Sequence, residues 1–193
     1  LGFTIYPKFW SVIAVIILIF ISLPFINFLS HLNQNIPFPE SLRQWLMNRE
    51  KDEIEMTYQF LDAQNISQLT VNLFMIGILP AVGEELVFRG ILQRLFASWT
   101  RNIHWGILIA ALLFSAMHVQ FYGFIPRLTL GMIFGYLFFW SGSIWLPIIG
   151  HFVNNGSAVI YHYFAKNNPD ISSGYYDALD VPDVMVFSSV VMI

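Results

Sequence analysis

The sequence predicts an all-α fold, a polytopic transmembrane helical bundle of about six or more spans. Of the 193 residues, 56% are hydrophobic and only 11% are charged, whereas soluble domains contain about 25% charged residues. The mean hydropathy is +0.63. Apolar blocks recur along the chain without long polar modules between them. We therefore expect one membrane domain over residues 1–193, in a multi-pass protein of the cell membrane.

Composition also excludes several classes of function. The net charge is -3 and no segment is rich in Lys or Arg, so the sequence lacks the basic cluster that binding to nucleic acid requires. The sequence contains no cysteine, which excludes disulfides, thiolate metal sites and cysteine nucleophiles.

The first apolar block, residues 10–30, has no charge and is long enough to cross a bilayer. Residues 31–68 are polar, with Pro37 and Pro39 marking a loop and a mixed-charge run after it. We expect an extramembrane connection there, with one or two short interfacial helices.

Residues 69–99 form a second hydrophobic block in which Pro80 and Gly83 stand in the middle. Because proline removes a helical hydrogen bond and glycine weakens a helix, we expect the helix to kink or break there. The positive-inside rule favours one long, broken span, with Arg94 and Arg101 on the cytoplasmic side.

Further spans are expected at residues 105–119, 124–140 and 144–164. Between residues 102 and 165 the only charge belongs to Arg127, which we expect to pack in the core or at the interface. Residues 165–180 form an acidic loop, and residues 181–193 resemble the beginning of a last span that the chain cuts off.

The acidic pair Glu84–Glu85 lies inside the second block. Ionised groups in lipid cost several kcal/mol unless they are paired or line a wet cavity, so such a pair is a hypothesis for a functional site. Glu85 and Arg89 are four residues apart, the spacing of a helical ion pair. Glu84 then points about 100° away without a local partner, where it could exchange protons with a substrate or water.

Two later apolar segments contribute His118 and the pair His151 and Asn155, which are four residues apart. Taken alone, a His or Asn side chain in an apolar helix is typical of hydrogen bonding between helices. An acid, a histidine and a His–Asn pair on three apolar helices together favour one shared wet cavity.

Two mechanisms fit these groups. In the first, Glu84 assisted by His118 activates a water, while His151 and Asn155 stabilise the oxyanion formed at a carbonyl. In the second, Glu84, His118 and His151 hold a divalent metal such as zinc. No HExxH motif is present and no second histidine lies at helical spacing beside His118 or His151, so the sequence favours the metal-free site and no cofactor.

Three motifs occur in order on these segments: Glu-Glu-x-x-x-Arg (Glu84, Glu85, Arg89), Phe-x-x-x-His (Phe114, His118) and His-x-x-x-Asn (His151, Asn155). In these motifs the chain resembles the CPBP intramembrane proteases, which include the CAAX prenyl endopeptidases and the bacteriocin-processing or self-immunity (Abi) proteins. The resemblance covers a protease-like core at about residues 70–165.

The resemblance implies a catalytic cavity between helices, open to the C-terminal end of a substrate peptide. It implies that Glu84 is the catalytic base, that His118 assists the water, and that His151 and Asn155 stabilise the oxyanion. It gives Glu85, Arg89 and Phe114 supporting roles. Members of this family are also called metalloproteases, but the glutamate-dependent mechanism is favoured here.

We therefore expect an intramembrane endopeptidase that cuts near the C-terminal or membrane-proximal part of its substrate. The partners are the lipid bilayer and a peptide or protein that is lipidated or carries a leader. The alternatives are a zinc-dependent version of the same protease, a non-catalytic membrane immunity or scaffold protein, and a small transporter with Glu84 as its proton site. Asn155 beside His151 favours proteolysis, because packing or proton relay has no need of an oxyanion donor.

Overall fold

The computed structural model describes residues 2–167, which form six helices and no strand. The helices are α1 (Phe9–Gln34), α2 (Glu40–Leu61), α3 (Ile66–Thr100), α4 (Ile103–Met117), α5 (Phe124–Ser141) and α6 (Trp145–Asn167). The last span expected at residues 181–193 lies outside the described part of the chain.

Three of these helices, α1, α3 and α5, are long and apolar enough to cross a membrane. The structure therefore supports a helical, membrane-type fold, but not the predicted count of about six spans. The segment expected at residues 105–119 is α4, which has only 15 residues, fewer than the roughly 20 that a bilayer requires. The segment expected at residues 144–164 is α6, in which polar residues such as His151 and Asn154 interrupt the apolar sequence.

The polar connection after α1 contains one continuous helix, α2, of 22 residues. Its first turn carries an exposed ion pair in which Arg43 Nη2 lies 2.8 Å from Glu40 Oε1. The Arg43 guanidinium hydrogen-bonds this carboxylate and holds the pKa of Glu40 below its usual value. The surface of α2 combines this ion pair with exposed apolar side chains such as Trp45 and Phe60.

Helix α3 is unbroken over 35 residues and is one candidate span by length and composition, so the predicted break is wrong. The backbone instead widens into π-helical turns at Leu73–Ile78 and Leu86–Leu92, on either side of Pro80 and Gly83. Such turns accommodate a residue that does not fit the regular ladder. Pro80 has no N–H to donate to the Ile76 carbonyl four residues earlier, and a side chain of α6 donates to that carbonyl instead, as described below.

Two parallel hydrogen bonds connect α3 with α5. Arg89 Nη2 donates to the Gly131 carbonyl at 2.9 Å, and one turn later Gln93 Nε2 donates to the Gly135 carbonyl at 3.1 Å. A Cβ added to Gly135 would lie 2.9 Å from Gln93 Oε1, and one added to Gly131 would lie 3.1 Å from Ala111 Cβ of α4, so the two glycines let α5 pack closely on both neighbouring helices. This connection fixes the register of the two helices at the level of the acidic pair.

Helix α4 packs equally closely on the end of α3. A Cβ added to Gly106 would lie 2.7 Å from the backbone nitrogen of Ala97 and 2.7 Å from the carbonyl oxygen of Gln93. Asn102 begins α4 by accepting hydrogen bonds from the backbone of His104 and Trp105, as an N-cap residue does.

The core between these helices and α1 is apolar and aromatic. It consists of Ile19, Ile26, Phe88, Phe114, Leu130 and Phe134, all at most 2% exposed. At the far end of the bundle, Asn33 of α1 donates to the Phe121 carbonyl at 2.8 Å and accepts from the Ile125 amide at 2.9 Å. These contacts attach the turn between α4 and α5 to α1.

Candidate active site

Glu85 lies at the centre of a buried polar network. Its side chain is 0% exposed, and its Oε2 lies 3.0 Å from Arg89 Nε, as the spacing on the helix predicts. Its other oxygen, Oε1, lies 2.9 Å from His151 Nδ1. One buried carboxylate therefore joins a cation on its own helix to an imidazole on α6.

Arg89 is buried as completely as Glu85, at 1% exposure. Besides the carboxylate and the Gly131 carbonyl, it contacts the faces of two aromatic rings, with Cζ 4.7 Å from the Phe114 centroid and 5.4 Å from the Phe134 centroid. A desolvated guanidinium over aromatic faces gains cation–π attraction. Arg89 is thereby held in one position from three sides.

His151 has a fixed ring orientation. It is 0% exposed and stacks on Phe134, with centroids 5.4 Å apart and an interplanar angle of 13°. Because a carboxylate only accepts hydrogen bonds, the contact with Glu85 makes Nδ1 the donor. The other nitrogen, Nε2, faces Glu84 at 4.0 Å from its Oε2, too far for a direct hydrogen bond.

Glu84 differs from Glu85 in its exposure and in the longer distance to its nearest ion-pair partner. Its side chain is 30% exposed, and its Oε2 is buried without a hydrogen-bond partner among the described residues. Next to it, Gly83 is exposed, and a Cβ added there would meet no atom within 4 Å. Glu84 is thus a carboxylate at the edge of the network, with open space along one side.

His118 stands at the C-terminal end of α4, partly exposed. Its Nδ1 lies 2.8 Å from the Phe114 carbonyl, which can only accept, so Nδ1 carries the proton and the neutral ring keeps a lone pair on Nε2. The Phe114 ring contacts both histidines edge-on, with centroids 5.2 Å from His118 and 6.1 Å from His151. Phe114 thus connects the two histidines.

Asn155 is buried on α6 one turn after His151. Its Nδ2 donates to the Ile76 carbonyl at 3.2 Å, the carbonyl that Pro80 cannot serve. Its Oδ1 accepts from Asn154 Nδ2 at 3.1 Å. The residue expected to stabilise an oxyanion therefore also fastens α6 to α3 where α3 widens.

The alternative metal site is not assembled in this conformation. Within residues 2–167, no three His, Cys, Asp or Glu side chains form a group that could hold a metal ion. Glu84 and His151 are neighbours, but His118 does not complete a set with them. The donor arrangement therefore does not fit zinc without movement of these side chains.

The sequence did not single out several residues of this network: Phe134, Gly131 and Gln93. Phe134 was one of many aromatic residues in an apolar helix. The glycines at 131 and 135 and the polar pair at 89 and 93 share the same four-residue spacing, and that coincidence was the available signal.

Comparison with known proteins identifies the segment that holds the three motifs. The sequence profile described as type II CAAX prenyl endopeptidase Rce1-like matches residues 66–157. An uncharacterized 24.3 kDa protein of Escherichia coli is 35% identical over 102 residues, which cover 50% of this chain and 46% of that protein. The uncharacterized protein YpbD of Bacillus subtilis is 28% identical over 86 residues, which cover 42% of this chain and 41% of YpbD.

The chain thus spans less than half the length of these two relatives. No solved structure matches. The profile match contains Glu84, Glu85 and Arg89, the Phe114–His118 motif and the His151–Asn155 motif. The match over residues 66–157 to the Rce1-like, type II CAAX prenyl endopeptidase model therefore supports a protease of the CPBP family.

Proposed function

We propose that this protein is a glutamate-dependent intramembrane endopeptidase that hydrolyses a peptide bond in the membrane-proximal or C-terminal part of its substrate. One observation carries the proposal: the Glu84 side chain is 30% exposed beside the Glu85–His151 pair, in which both side chains are 0% exposed. A base must be reachable by water, and the neighbouring Glu85 is fully buried between Arg89 and His151.

The proposed reaction begins with a water hydrogen-bonded to Glu84. The carboxylate takes a proton from the water while the water oxygen bonds to the scissile carbonyl carbon. This gives a tetrahedral intermediate with a negatively charged oxygen, the oxyanion. Glu84 then delivers that proton to the leaving nitrogen as the C–N bond breaks. The products are a new carboxylate and a new amine. His118 assists through Nε2, the nitrogen left free by its bond to Phe114.

His151 is the proposed donor to the oxyanion. To donate from Nε2 while Nδ1 donates to Glu85, both ring nitrogens must carry protons. The carboxylate of Glu85, itself held by Arg89, orients the ring, and its negative charge stabilises the positively charged imidazolium. This is the arrangement in which a buried carboxylate positions a catalytic histidine.

Asn155 is the proposed second donor to the oxyanion. Its Nδ2 already bonds the Ile76 carbonyl, so its contribution includes holding α6 against α3 at the level of the site. We expect Asn155→Ala to lower both activity and stability, whereas a pure oxyanion donor would affect activity alone.

The substrate is proposed to approach along the open side of α3 beside Gly83, in a multi-pass protein of the cell membrane. Two substrate classes fit a site between apolar helices: peptides with a lipidated tail and peptides with a leader. Both place a short peptide stretch next to an apolar anchor.

The test is cleavage of a peptide library, with and without lipidated C termini, by the purified protein in lipid bilayers. Glu84→Gln is compared with Glu40→Gln, which changes an exposed glutamate of α2 in the same way. We expect cleavage by the wild type and by Glu40→Gln, and loss of cleavage in Glu84→Gln. Equal cleavage by all three proteins would refute the role of Glu84.

A non-catalytic immunity or scaffold function is the second candidate, favoured by the degree to which Glu85, Arg89 and Asn155 already serve packing. A folded wild type that cleaves no member of the library would support it. The zinc-dependent version is tested by adding a strong divalent chelator to the wild type: sustained cleavage excludes it, and loss restored by zinc establishes it.

A further inference from the structure

Arg127 is the only charged residue between residues 102 and 165, and its side chain is 0% exposed. It lies in the first turn of α5, directly after the turn that joins α4 to α5. Burying a guanidinium among apolar helices costs free energy unless hydrogen bonds compensate. An intramembrane cation is therefore a hypothesis for function.

The Arg127 guanidinium bonds to the turn that follows His118. Nε donates to the Gly123 carbonyl at 3.1 Å, and Nη2 donates to the Gln120 carbonyl at 2.6 Å. Nη1 donates to the side-chain oxygen of Gln120, which is itself buried. All three nitrogens of the planar fork thus bind residues 120–123.

Between His118 and Gln120, Val119 adopts a left-handed backbone conformation with φ of 54°. A β-branched residue is strained in this region, and such strain persists only where the surroundings fix the conformation. Here the chain is fixed on both sides of Val119. His118 bonds the Phe114 carbonyl before it, and Arg127 holds Gln120 after it.

We infer that Arg127 is a positioning residue for His118. By holding the turn at Gln120 and Gly123, it keeps the imidazole in the orientation in which Nδ1 bonds the Phe114 carbonyl and Nε2 is free for the attacking water. The inference rests on the proposed function, in which His118 assists that water. The requirement is for the fork geometry of the guanidinium, which an ammonium does not reproduce.

The test observes His118 without depending on activity. The full chain, labelled with ¹⁵N-histidine in lipid nanodiscs, reports the tautomer of each ring by NMR, and His118→Gln assigns the signal. In the wild type we expect His118 to carry its proton on Nδ1. In Arg127→Met and Arg127→Lys we expect mixed or exchange-broadened tautomers. Gln120→Leu is a milder variant that retains the guanidinium and the backbone carbonyl, and it should move the signal in the same direction.

Asn33→Ala is the matched control, because Asn33 fastens the same turn from α1 but bonds Phe121 and Ile125 instead of Gln120. We expect it to leave the tautomer of His118 unchanged. An unchanged His118 signal in the Arg127 and Gln120 variants would overturn the inference. So would a wild-type signal in Arg127→Lys, or an equal change in Asn33→Ala.

Kinetics separate the two proposals. With a cleaved library peptide, we expect Arg127→Lys to lower kcat at least tenfold with KM changed less than twofold. A wild type that cleaves nothing would refute the proposed function, while the tautomer measurement would still decide whether Arg127 positions His118. Unchanged kcat in Arg127→Lys and Gln120→Leu, with Glu84→Gln inactive, would overturn this inference alone.

Discussion

Replacing Glu85 with glutamine removes one negative charge from a fully buried position and hardly changes the volume of the side chain. The same replacement at Glu84 removes a charge from the adjacent residue, whose side chain is 30% exposed. The two substitutions differ in nothing but position. We predict that Glu85→Gln is strongly destabilising and that Glu84→Gln is close to neutral for stability.

The magnitude follows from the partners that each carboxylate leaves behind. Without the charge of Glu85, the buried Arg89 loses the carboxylate 3.0 Å from Nε, and His151 loses a charged acceptor at 2.9 Å. Removing one member of a buried ion pair costs about 3–5 kcal/mol. Glu84 has no hydrogen bond to lose from Oε2, so its replacement should cost less than about 1 kcal/mol.

The assay is thermal unfolding of both variants and the wild type in the same detergent, monitored by tryptophan fluorescence. For a chain of this length, 1 kcal/mol corresponds to about 2–4 °C in Tm, so Glu85→Gln should lower Tm by about 6–20 °C. A Glu85→Gln protein as stable as the Glu84→Gln protein would refute the reasoning that Glu85 neutralises a buried cation.

Three further predictions concern packing and access. Gly106→Ala should destabilise the protein by about 1–3 kcal/mol, because the new methyl group would lie 2.7 Å from backbone atoms of α3. Gly83→Ala, by contrast, has open space around the new methyl group and should be neutral or stabilising in the same unfolding assay. Pro80→Ala should restore a donor to the Ile76 carbonyl, so a double-mutant cycle with Asn155→Ala should show a coupling of about 0.5–1.5 kcal/mol, and strict additivity would contradict the shared carbonyl. Gly83→Trp should raise KM at least tenfold without a change in Tm, and an unchanged KM would place the substrate path elsewhere.

Much of the site was predictable because it depends on local spacing and on the cost of charge in lipid. The pairing of Glu85 with Arg89 follows from four-residue spacing on one helix. The separation of Glu84 from that pair follows from the angle between consecutive helical residues. The helical class of the fold follows from hydrophobicity alone.

The remaining features depend on contacts between distant helices. The expected break at Pro80 did not form: the backbone widened into a π-helical turn, and Asn155 of α6 donates a hydrogen bond to the Ile76 carbonyl. Spacing on α6 placed His151 and Asn155 on one face, but it could not reveal that Nδ1 of His151 would bond Glu85. Likewise, a lone Arg127 in an apolar segment did not indicate the backbone turn that it binds.

The most direct test of the central claim is the turnover of one cleaved library peptide by the wild type and by Glu84→Gln, at equal folded fraction and with a divalent chelator present in both. General acid–base catalysis contributes about 10²–10⁴-fold to a rate. We therefore predict that Glu84→Gln lowers kcat by at least about 10²-fold, while the wild type in chelator keeps its full rate. A Glu84→Gln protein that cuts within threefold of the wild-type rate would contradict the claim that Glu84 activates the water.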